Sequence, residues 1–294
     1  MKRLIDKSRV PPFLWQGARE AVRVCRILTA PIRVLPDFII IGAQRAGTTS
    51  LFEYVSHHPC IGRSFGKELH FFDNLKGSFQ KGLMWYRAHF PSYPYMYLAK
   101  KVFGRDMITG EASPYYLFHP LAARRIAGVL PRVKLIAILR NPVDRAYSHY
   151  HHNLKYKNET LSFEEALEKE PERLEGEVER ILGDKDYRGK NHQHYTYLAR
   201  GVYVNQLENW FSVFPREQML ILKSEDFYAD RLGVLKTVLR FLGLPEWAPK
   251  GYRQYNVGGY SSLDPSMRKR LVEYFRPHNQ RLYEYLGRDF GWDE

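Results

Sequence analysis

The segment that most constrains the fold is a short apolar run ending in a glycine-bounded loop. Residues 37–41 read Asp-Phe-Ile-Ile-Ile, and a continuous apolar run before a glycine predicts a strand buried on both faces, as in a parallel sheet. The loop from Gly42 to Gly47 then opens a predicted helix at residues 48–57. Backbone N–H groups and a helix N-terminus meet at such a loop, so the pattern favours an anion-binding site.

The same order of elements recurs further along the chain. Residues 133–139 predict a second buried strand, followed by Arg140 and by Asn141-Pro142, which are good residues for a helix cap and first turn. Alternation of strands and helices predicts an α/β fold, a three-layer α/β/α domain with a central parallel sheet and a P-loop-like nucleotide-binding core. Further predicted elements are a strand at 218–222 and helices at 121–130, 195–214, 232–242 and from 267 on, with a kink or break near Pro277.

The two charged regions of the chain predict less regular structure. Residues 1–36 hold eight Lys and Arg against two acidic residues, so we expect a basic extension at 1–36 and one domain at 37–294. Such an arm is compatible with packing on the protein, with solvation, with peripheral membrane contact or, more weakly, with a transit peptide. The stretch 158–193 is highly charged and predicts a mobile insertion or an exposed helix over the site.

Composition restricts the partners. The 294 residues include 45 Lys and Arg against 32 Asp and Glu, a formal charge of +13, which favours polyanionic ligands or a basic solvated surface. The two cysteines are too few for a disulfide framework or a zinc site, and a reducing compartment fits them. No apolar run approaches the ~18 residues of a membrane span.

The glycine loop departs from the usual triphosphate-binding pattern at one position. Its spacing copies G-x-x-x-x-G-K-[ST], but Thr48 stands in place of the lysine and a cation lies inside the loop, at Arg45. No strand ends in a convincing aspartate for magnesium. We therefore expect the loop to bind a phosphate without a magnesium-bridged triphosphate, the alternative being a glycine turn without a ligand. The candidate ligand residues are Gln44, Arg45, Ala46, Gly47, Thr48 and Thr49.

Residues 41–51, IGAQRAGTTSL, resemble the 5′-phosphosulfate loop of sulfotransferases, most closely the heparan-type carbohydrate branch and its bacterial relatives. The resemblance implies the donor 3′-phosphoadenosine 5′-phosphosulfate (PAPS), the product 3′-phosphoadenosine 5′-phosphate (PAP) and no metal. It also implies that the loop holds the 5′-phosphate and that Arg45 contacts the bridging oxygen, where lysine is more usual. Arginine, with a pKa above 12, fits electrostatic stabilisation better than proton donation.

Other segments resemble the family's nucleotide contacts. Residues 139–148 match its 3′-phosphate motif, which implies that Arg140 and Ser148 bind that phosphate. The family's glycine–tyrosine helix entry lies near the adenine, so Tyr203 and the arginine at 200 are candidates for purine stacking, with core packing of Tyr203 as the open alternative. Lys250 and Arg253 occupy the place of the cofactor-covering loop and are weaker candidates for the 3′-phosphate.

Residues 67–73, KELHFFD, resemble the family's KE-x-HFFD stretch, which implies that Glu68 is the catalytic base. Two neighbouring phenylalanines are expected to desolvate its carboxylate partly, with Lys67 opposing that effect. His70 is the competing base or a positioning group, and an edge strand with alternating polar residues is the structural alternative. Near the expected acceptor, Glu111 and Ser113 are further candidates, while Ala112 stands where heparan-type members often carry lysine.

The resulting prediction is a sulfotransferase that acts on a hydroxyl or amine of a carbohydrate or small-molecule acceptor. The alternatives are a P-loop-type nucleotide kinase and a non-catalytic binding protein for sulfated or phosphorylated ligands. We expect a cytoplasmic, bacterial enzyme without a nucleic-acid partner, because no membrane anchor is evident in the sequence. The acceptor and the oligomeric state stay open.

Overall fold

The centre of the molecule is a five-stranded parallel sheet. The computed structural model describes residues 12–75, 77–184, 186–249, 251, 259 and 261–293. The strand order is β2-β3-β1-β4-β5, and every neighbouring pair is parallel. The strands are β1 (Phe38–Gly42), β2 (Ile61–Gly62), β3 (Ile108–Ala112), β4 (Lys134–Leu139) and β5 (Met219–Lys223).

The described helices number fourteen and surround this sheet. They are α1 (Pro12–Leu28), α2 (Thr48–Val55), α3 (Gly82–Arg87), α4 (Tyr93–Phe103), α5 (Ala122–Val129), α6 (Pro142–Lys155), α7 (Phe163–Glu168), α8 (Glu170–Leu174), α9 (Glu177–Gly183), α10 (Lys190–His194), α11 (Tyr203–Phe211), α12 (Ser224–Ala229), α13 (Arg231–Leu242) and α14 (Pro265–Leu286).

The layers follow from burial. All five residues of β1 are buried, as are five of the six in β4, so the two apolar runs form the middle of the sheet with helices on both faces. Helices α2 and α13 pack on the sheet and on each other, and α14 packs against α6 and α11 in the second layer. The predicted three-layer α/β/α architecture is therefore confirmed.

Two predicted helices have different limits. The helix expected over 195–214 is only α11, because the Glu170 carboxylate accepts the backbone N–H groups of Tyr197, Leu198 and Ala199 (2.9, 2.7 and 2.8 Å) and keeps this segment out of a helix. Of the kink or break expected near Pro277, the break is wrong. Helix α14 is continuous through Pro277, which lies on its exposed side.

The charged insertion is packed rather than mobile. It forms the four short helices α7 to α10, which are anchored by buried carboxylates. Glu159 accepts two hydrogen bonds from Arg173 (2.7 and 3.1 Å), and Glu177 accepts the backbone N–H of His192 (3.2 Å). Tyr150 and Asn153 near the end of α6 donate to the carbonyl oxygens of Leu161 (2.9 Å) and His194 (2.6 Å), which attaches the insertion to this helix.

The described part of the basic N-terminal segment lies against the domain. Arg26 of α1 donates to the carbonyl oxygens of Ala88 (2.7 Å) and Phe90 (2.9 Å), and Arg33 donates to that of Phe90 (2.8 Å). Over the described residues, no helix combines the length and the apolar character that crossing a bilayer requires. The domain boundary at residue 36 stays a prediction.

Candidate active site

The glycine loop lies between the C-terminal end of β1 and the start of α2. Gly47 caps α2 with φ +100°, a backbone conformation that residues with a side chain rarely adopt, so glycine is favoured there. The Ser224 hydroxyl donates to the Ala46 carbonyl (2.8 Å) from the neighbouring α12. The first N–H groups of α2, beginning at Thr48, have no acceptor within the helix and are suited to an anion.

The two anion sites predicted separately from the sequence form one cluster. The Arg45 guanidinium donates through Nε to the Ser148 hydroxyl (3.1 Å), and its Nη1 lies 3.3 Å from His152 Nδ1. Arg140 in turn donates through Nη1 to the Arg45 carbonyl oxygen (3.1 Å). The structure therefore joins Arg45 to Arg140 and Ser148, which lie 95 and 103 residues further along the chain.

Arg140 is placed by the start of α6 and by a buried tyrosine. Asn141 caps the helix by accepting the N–H groups of Val143 (2.9 Å) and Asp144 (3.5 Å), with Pro142 at the first position as predicted. The Tyr203 hydroxyl donates to the Arg140 carbonyl (2.8 Å), and its ring is buried. The structure thus shows Tyr203 packed in the core, which was the alternative to purine stacking. From there its hydroxyl orients the backbone of Arg140.

The KELHFFD segment is a turn rather than an edge strand. Glu68 and His70 both have positive φ, of 49° and 52°, so successive side chains do not alternate as they would in a strand. Phe71 and Phe72 enter the core, whereas half of the Glu68 side chain is exposed. The partial desolvation of Glu68 by these rings stays a prediction. Lys67 forms an ion pair with Glu53 of α2.

His70 is held by an aspartate to which the sequence analysis gave no role. The His70 Nδ1 lies 2.7 Å from Asp73 Oδ2, and both side chains are buried. With the proton on Nδ1 donated to this carboxylate, Nε2 faces Glu68 Oε2 at 3.6 Å. The spacing of three residues between histidine and aspartate was the signal that could have predicted this pair.

A polar cleft connects the loop to the turn. Its volume is about 130 Å³, and we use this name for the cavity bordered by Gln44, Glu68, His70, Tyr115, His152 and His194. Burial and the charge of Arg45 lower the pKa of His152, so its imidazole is neutral at pH 7. The cleft thus brings a carboxylate and imidazole side chains next to the glycine loop that carries Arg45.

Comparison with known proteins agrees with this arrangement. Residues 35–257 match the family described as "Sulfotransferase domain". The chain belongs to the sulfotransferase family. A crystal structure of a sulfotransferase from Alicyclobacillus acidocaldarius has 32% identity and a TM-score of 0.65, covering 89% of this chain and all of that one.

Curated relatives extend the similarity to eukaryotic proteins. Human heparan sulfate glucosamine 3-O-sulfotransferase 3B1 is 31% identical over 88% of this chain and 65% of its own length. The membrane-associated sulfotransferase kil1 of Dictyostelium discoideum is 26% identical over 94% of this chain and 70% of its own length. The chain thus spans about two thirds of the length of these relatives. Together with the family match, the similarity shows an enzyme of the sulfotransferase class.

A buried arginine of this sulfotransferase, Arg200, supports the glycine loop through Gln44. Arg200 donates to the Gln44 side-chain oxygen and, through Nη2, to the carbonyls of His192 and Gln193 (2.9 Å each). Its guanidinium lies 4.9 Å from the centroid of the Tyr115 ring, and burial lowers its pKa to about 9. Stacking of Arg200 on a purine is therefore wrong, because the side chain is fully buried.

The KELHFFD turn of the sulfotransferase rests on a buried glutamate. Glu111 accepts hydrogen bonds from the hydroxyls of Tyr86 (2.5 Å), Ser113 (3.0 Å) and Tyr116 (3.3 Å). The Tyr116 oxygen accepts the backbone N–H of Phe71 (2.9 Å). Glu111 and Ser113 are therefore supports of the turn in this structure, both buried beneath it.

We expect Glu111→Gln to change how stability depends on pH. Burial raises the pKa of Glu111 from 4.5 to about 7, so the folded protein keeps a proton that the unfolded chain loses. The stability contributed by this proton is present below pH 4.5 and is lost as the pH rises through about 7. The loss is on the order of 3 kcal/mol, and thermal unfolding between pH 4.5 and 8 measures it.

The comparison for this prediction is the difference between two proteins. The wild type should lose stability relative to Glu111→Gln across that pH range, because only the wild type titrates at this position. A control, Glu172→Gln, changes an exposed carboxylate and should follow the wild type. Parallel curves for wild type and Glu111→Gln would contradict the assignment.

Two candidate contacts lie outside the described residues. They are Lys250 and Arg253, whose predicted binding of the 3′-phosphate stays a prediction. Within the described ranges, no group of three or more His, Cys, Asp or Glu residues is placed to hold a metal ion. The expectation of a metal-free reaction also stays a prediction.

Proposed function

We propose that this sulfotransferase uses PAPS as the donor and transfers the sulfuryl group to an acceptor hydroxyl or amine, with Glu68 as the base. The observation that carries the proposal is the joint cluster of Arg45, Arg140 and Ser148 next to the polar cleft that contains Glu68. A bisphosphate nucleotide needs cationic groups for two phosphates, and this chain gathers Arg45 and Arg140 at the C-terminal ends of neighbouring parallel strands.

The donor set fits the nucleotide. The N-terminus of α2, the Thr48 and Thr49 hydroxyls and the Arg45 guanidinium would hold the 5′-phosphate, and Arg140 with Ser148 would hold the 3′-phosphate. PAPS, when bound, supplies the sulfuryl group at the phosphosulfate end of this site. Gly47 allows the positive φ with which the loop enters α2.

The protein's own groups then divide the chemistry. Glu68 takes the proton of the acceptor in the polar cleft, where the His70 Nε2 lies 3.6 Å from its carboxylate. Asp73 holds His70 with Nε2 toward that carboxylate. Arg45 and the loop N–H groups stabilise negative charge at the loop without giving up a proton.

The acceptor would bind in the polar cleft and its surroundings. The names of the relatives indicate its general class. The name of the human heparan sulfate glucosamine 3-O-sulfotransferase supports a hydroxyl of a carbohydrate as one candidate acceptor. The Ala112 position, which lacks the lysine often found in heparan-type members, argues for a different acceptor from theirs.

An acceptor screen tests the proposal. The protein is incubated with PAPS and with alcohols and amines from the sugar, phenol and alkyl classes, and products are examined by mass for the gain of one sulfo group together with release of PAP. Glu68→Gln is the matched blank. Magnesium-dependent ATP turnover without sulfo transfer would favour the kinase alternative. Tight PAP binding with no transfer to any class would favour a binding protein.

A further inference from the structure

A second cavity lies beside the catalytic turn, between it and the N-terminal helix. Its volume is about 240 Å³. We name it the α1 groove and define it by Arg23 and Ile27 of α1, Phe65, Glu68 and Leu69 of the turn segment, and Trp85 of α3. Although α1 lies outside the strand–loop–helix core that carries the nucleotide site, it forms one wall of this groove.

The groove and the polar cleft share one lining residue. Glu68 borders both cavities, and about half of its side chain is exposed. A molecule seated in the groove therefore has one end within reach of the proposed base. The polar cleft alone, at about 130 Å³, is smaller than the ~300–1,000 Å³ of usual ligand pockets, and the groove supplies the missing room.

Most of the surface that lines the groove is apolar, although Arg23, Lys67 and Glu68 at its border are charged and exposed. Ile27 and Phe65 come from different elements, both line this cavity, and 40% and 43% of their surfaces are exposed. Leu69 and Trp85 continue the apolar lining between them. Single exposed apolar residues are ordinary, but apolar groups that converge on a cavity next to a catalytic residue indicate a ligand surface.

The cations of the groove already have partners within the protein. Arg26 donates to the carbonyls of Ala88 and Phe90 while its guanidinium lies 4.7 Å from the Phe65 ring centroid. Arg23 pairs with Glu20, and Lys67 pairs with Glu53. A sulfated polysaccharide would have to compete with these contacts, and its hydroxyls would find few hydrogen-bonding groups on the apolar wall.

We propose that the α1 groove binds the body of the acceptor and that this body is apolar, an aromatic or alicyclic ring system that carries the reacting hydroxyl toward Glu68. The inference rests on the proposed function and adds the class of acceptor. It assigns Ile27 and Phe65 as specificity-determining residues and makes α1 a part of the substrate site. The fit is that of a fused two-ring alcohol, of which 2-naphthol is a simple probe.

Direct binding tests the groove without relying on turnover. Isothermal titration measures 2-naphthol binding to the full chain saturated with PAP, for the wild type, Ile27→Asp, Phe65→Ala and Leu28→Asp. Leu28 is the matched control because it follows Ile27 on the same helix, is 74% exposed and does not line the groove. We expect Ile27→Asp and Phe65→Ala to weaken binding about tenfold or more, since a charge or a void replaces apolar contact, and Leu28→Asp to leave it within about twofold.

The outcomes separate the groove from the reaction. If 2-naphthol does not bind, if Ile27→Asp binds it as the wild type does, or if a heparin disaccharide of similar size binds more tightly, the apolar acceptor site is wrong even when sulfo transfer is observed with another acceptor. If the groove variants weaken binding but PAPS never yields 2-naphthyl sulfate or any other sulfo product, the groove stands as a binding site and the proposed function fails. PAP affinity should be equal in all four proteins and serves as the folding control.

Discussion

Glu68→Gln should lower kcat at least about a hundredfold while PAP binding stays within about twofold of the wild type. General-base catalysis by a positioned side chain contributes about 10²–10⁴ to the rate, and the amide has the same shape without the basic oxygen. Glu68 lies in the polar cleft, whereas Arg45, Arg140 and Ser148 form the proposed nucleotide site. The loss of turnover and the affinity for PAP should therefore be independent. Initial rates with PAPS and titration calorimetry with PAP measure them.

A comparison of the kcat values of Glu68→Gln and His70→Asn decides between the two candidate bases. His70 lies 2.7 Å from the Asp73 carboxylate through Nδ1, and its Nε2 faces Glu68 rather than standing alone in the cleft. His70→Asn is therefore expected to lower kcat less than Glu68→Gln does. If Glu68→Gln turned over normally and His70→Asn did not, the base would be His70. Glu172→Gln, on an exposed helix of the insertion, is the control for loss of a carboxylate.

The parts of the fold that the sequence predicted well are those where one physical pattern dominates. The runs at 37–41 and 133–139 are continuous and apolar, and they became β1 and β4 at the centre of the sheet. Asn141 and Pro142 marked the start of α6 because a cap and a first-turn proline act locally. In contrast, β2 has two residues, too few for any periodicity to show.

The missed features depend on contacts between distant segments. The helix expected over 195–214 lost its first half to Glu170, a carboxylate whose role in accepting three N–H groups has no signature in the local sequence. The junction of Arg45 with Arg140 and Ser148 was predictable only as two motifs, because their separation depends on how β1 and β4 pair. Ile27 gave no signal at all, since its groove exists only after α1 packs near the turn.

Arg140→Ala should weaken PAP binding at least about thirtyfold. Arg140 lies at the C-terminal end of β4, where open parallel sheets bind ligands. Removal of a guanidinium that binds a phosphate costs about 2–5 kcal/mol of binding free energy, because the anion is left unpaired. The control is Arg132→Ala, an exposed arginine just before the opposite end of the same strand. Titration calorimetry with PAP measures both.

A second ligand separates phosphate binding from loop support. Arg140 also donates to the Arg45 carbonyl, so its loss could weaken the nucleotide site by loosening the loop instead. Adenosine 5′-phosphosulfate has the 5′ end of the donor without the 3′-phosphate, and its affinity should fall far less than that of PAP in Arg140→Ala. An equal loss for both ligands would mean that Arg140 supports Arg45 and does not contact the 3′-phosphate. A loss confined to PAP would place the 3′-phosphate at Arg140, because the loop that serves the 5′ end would then be intact.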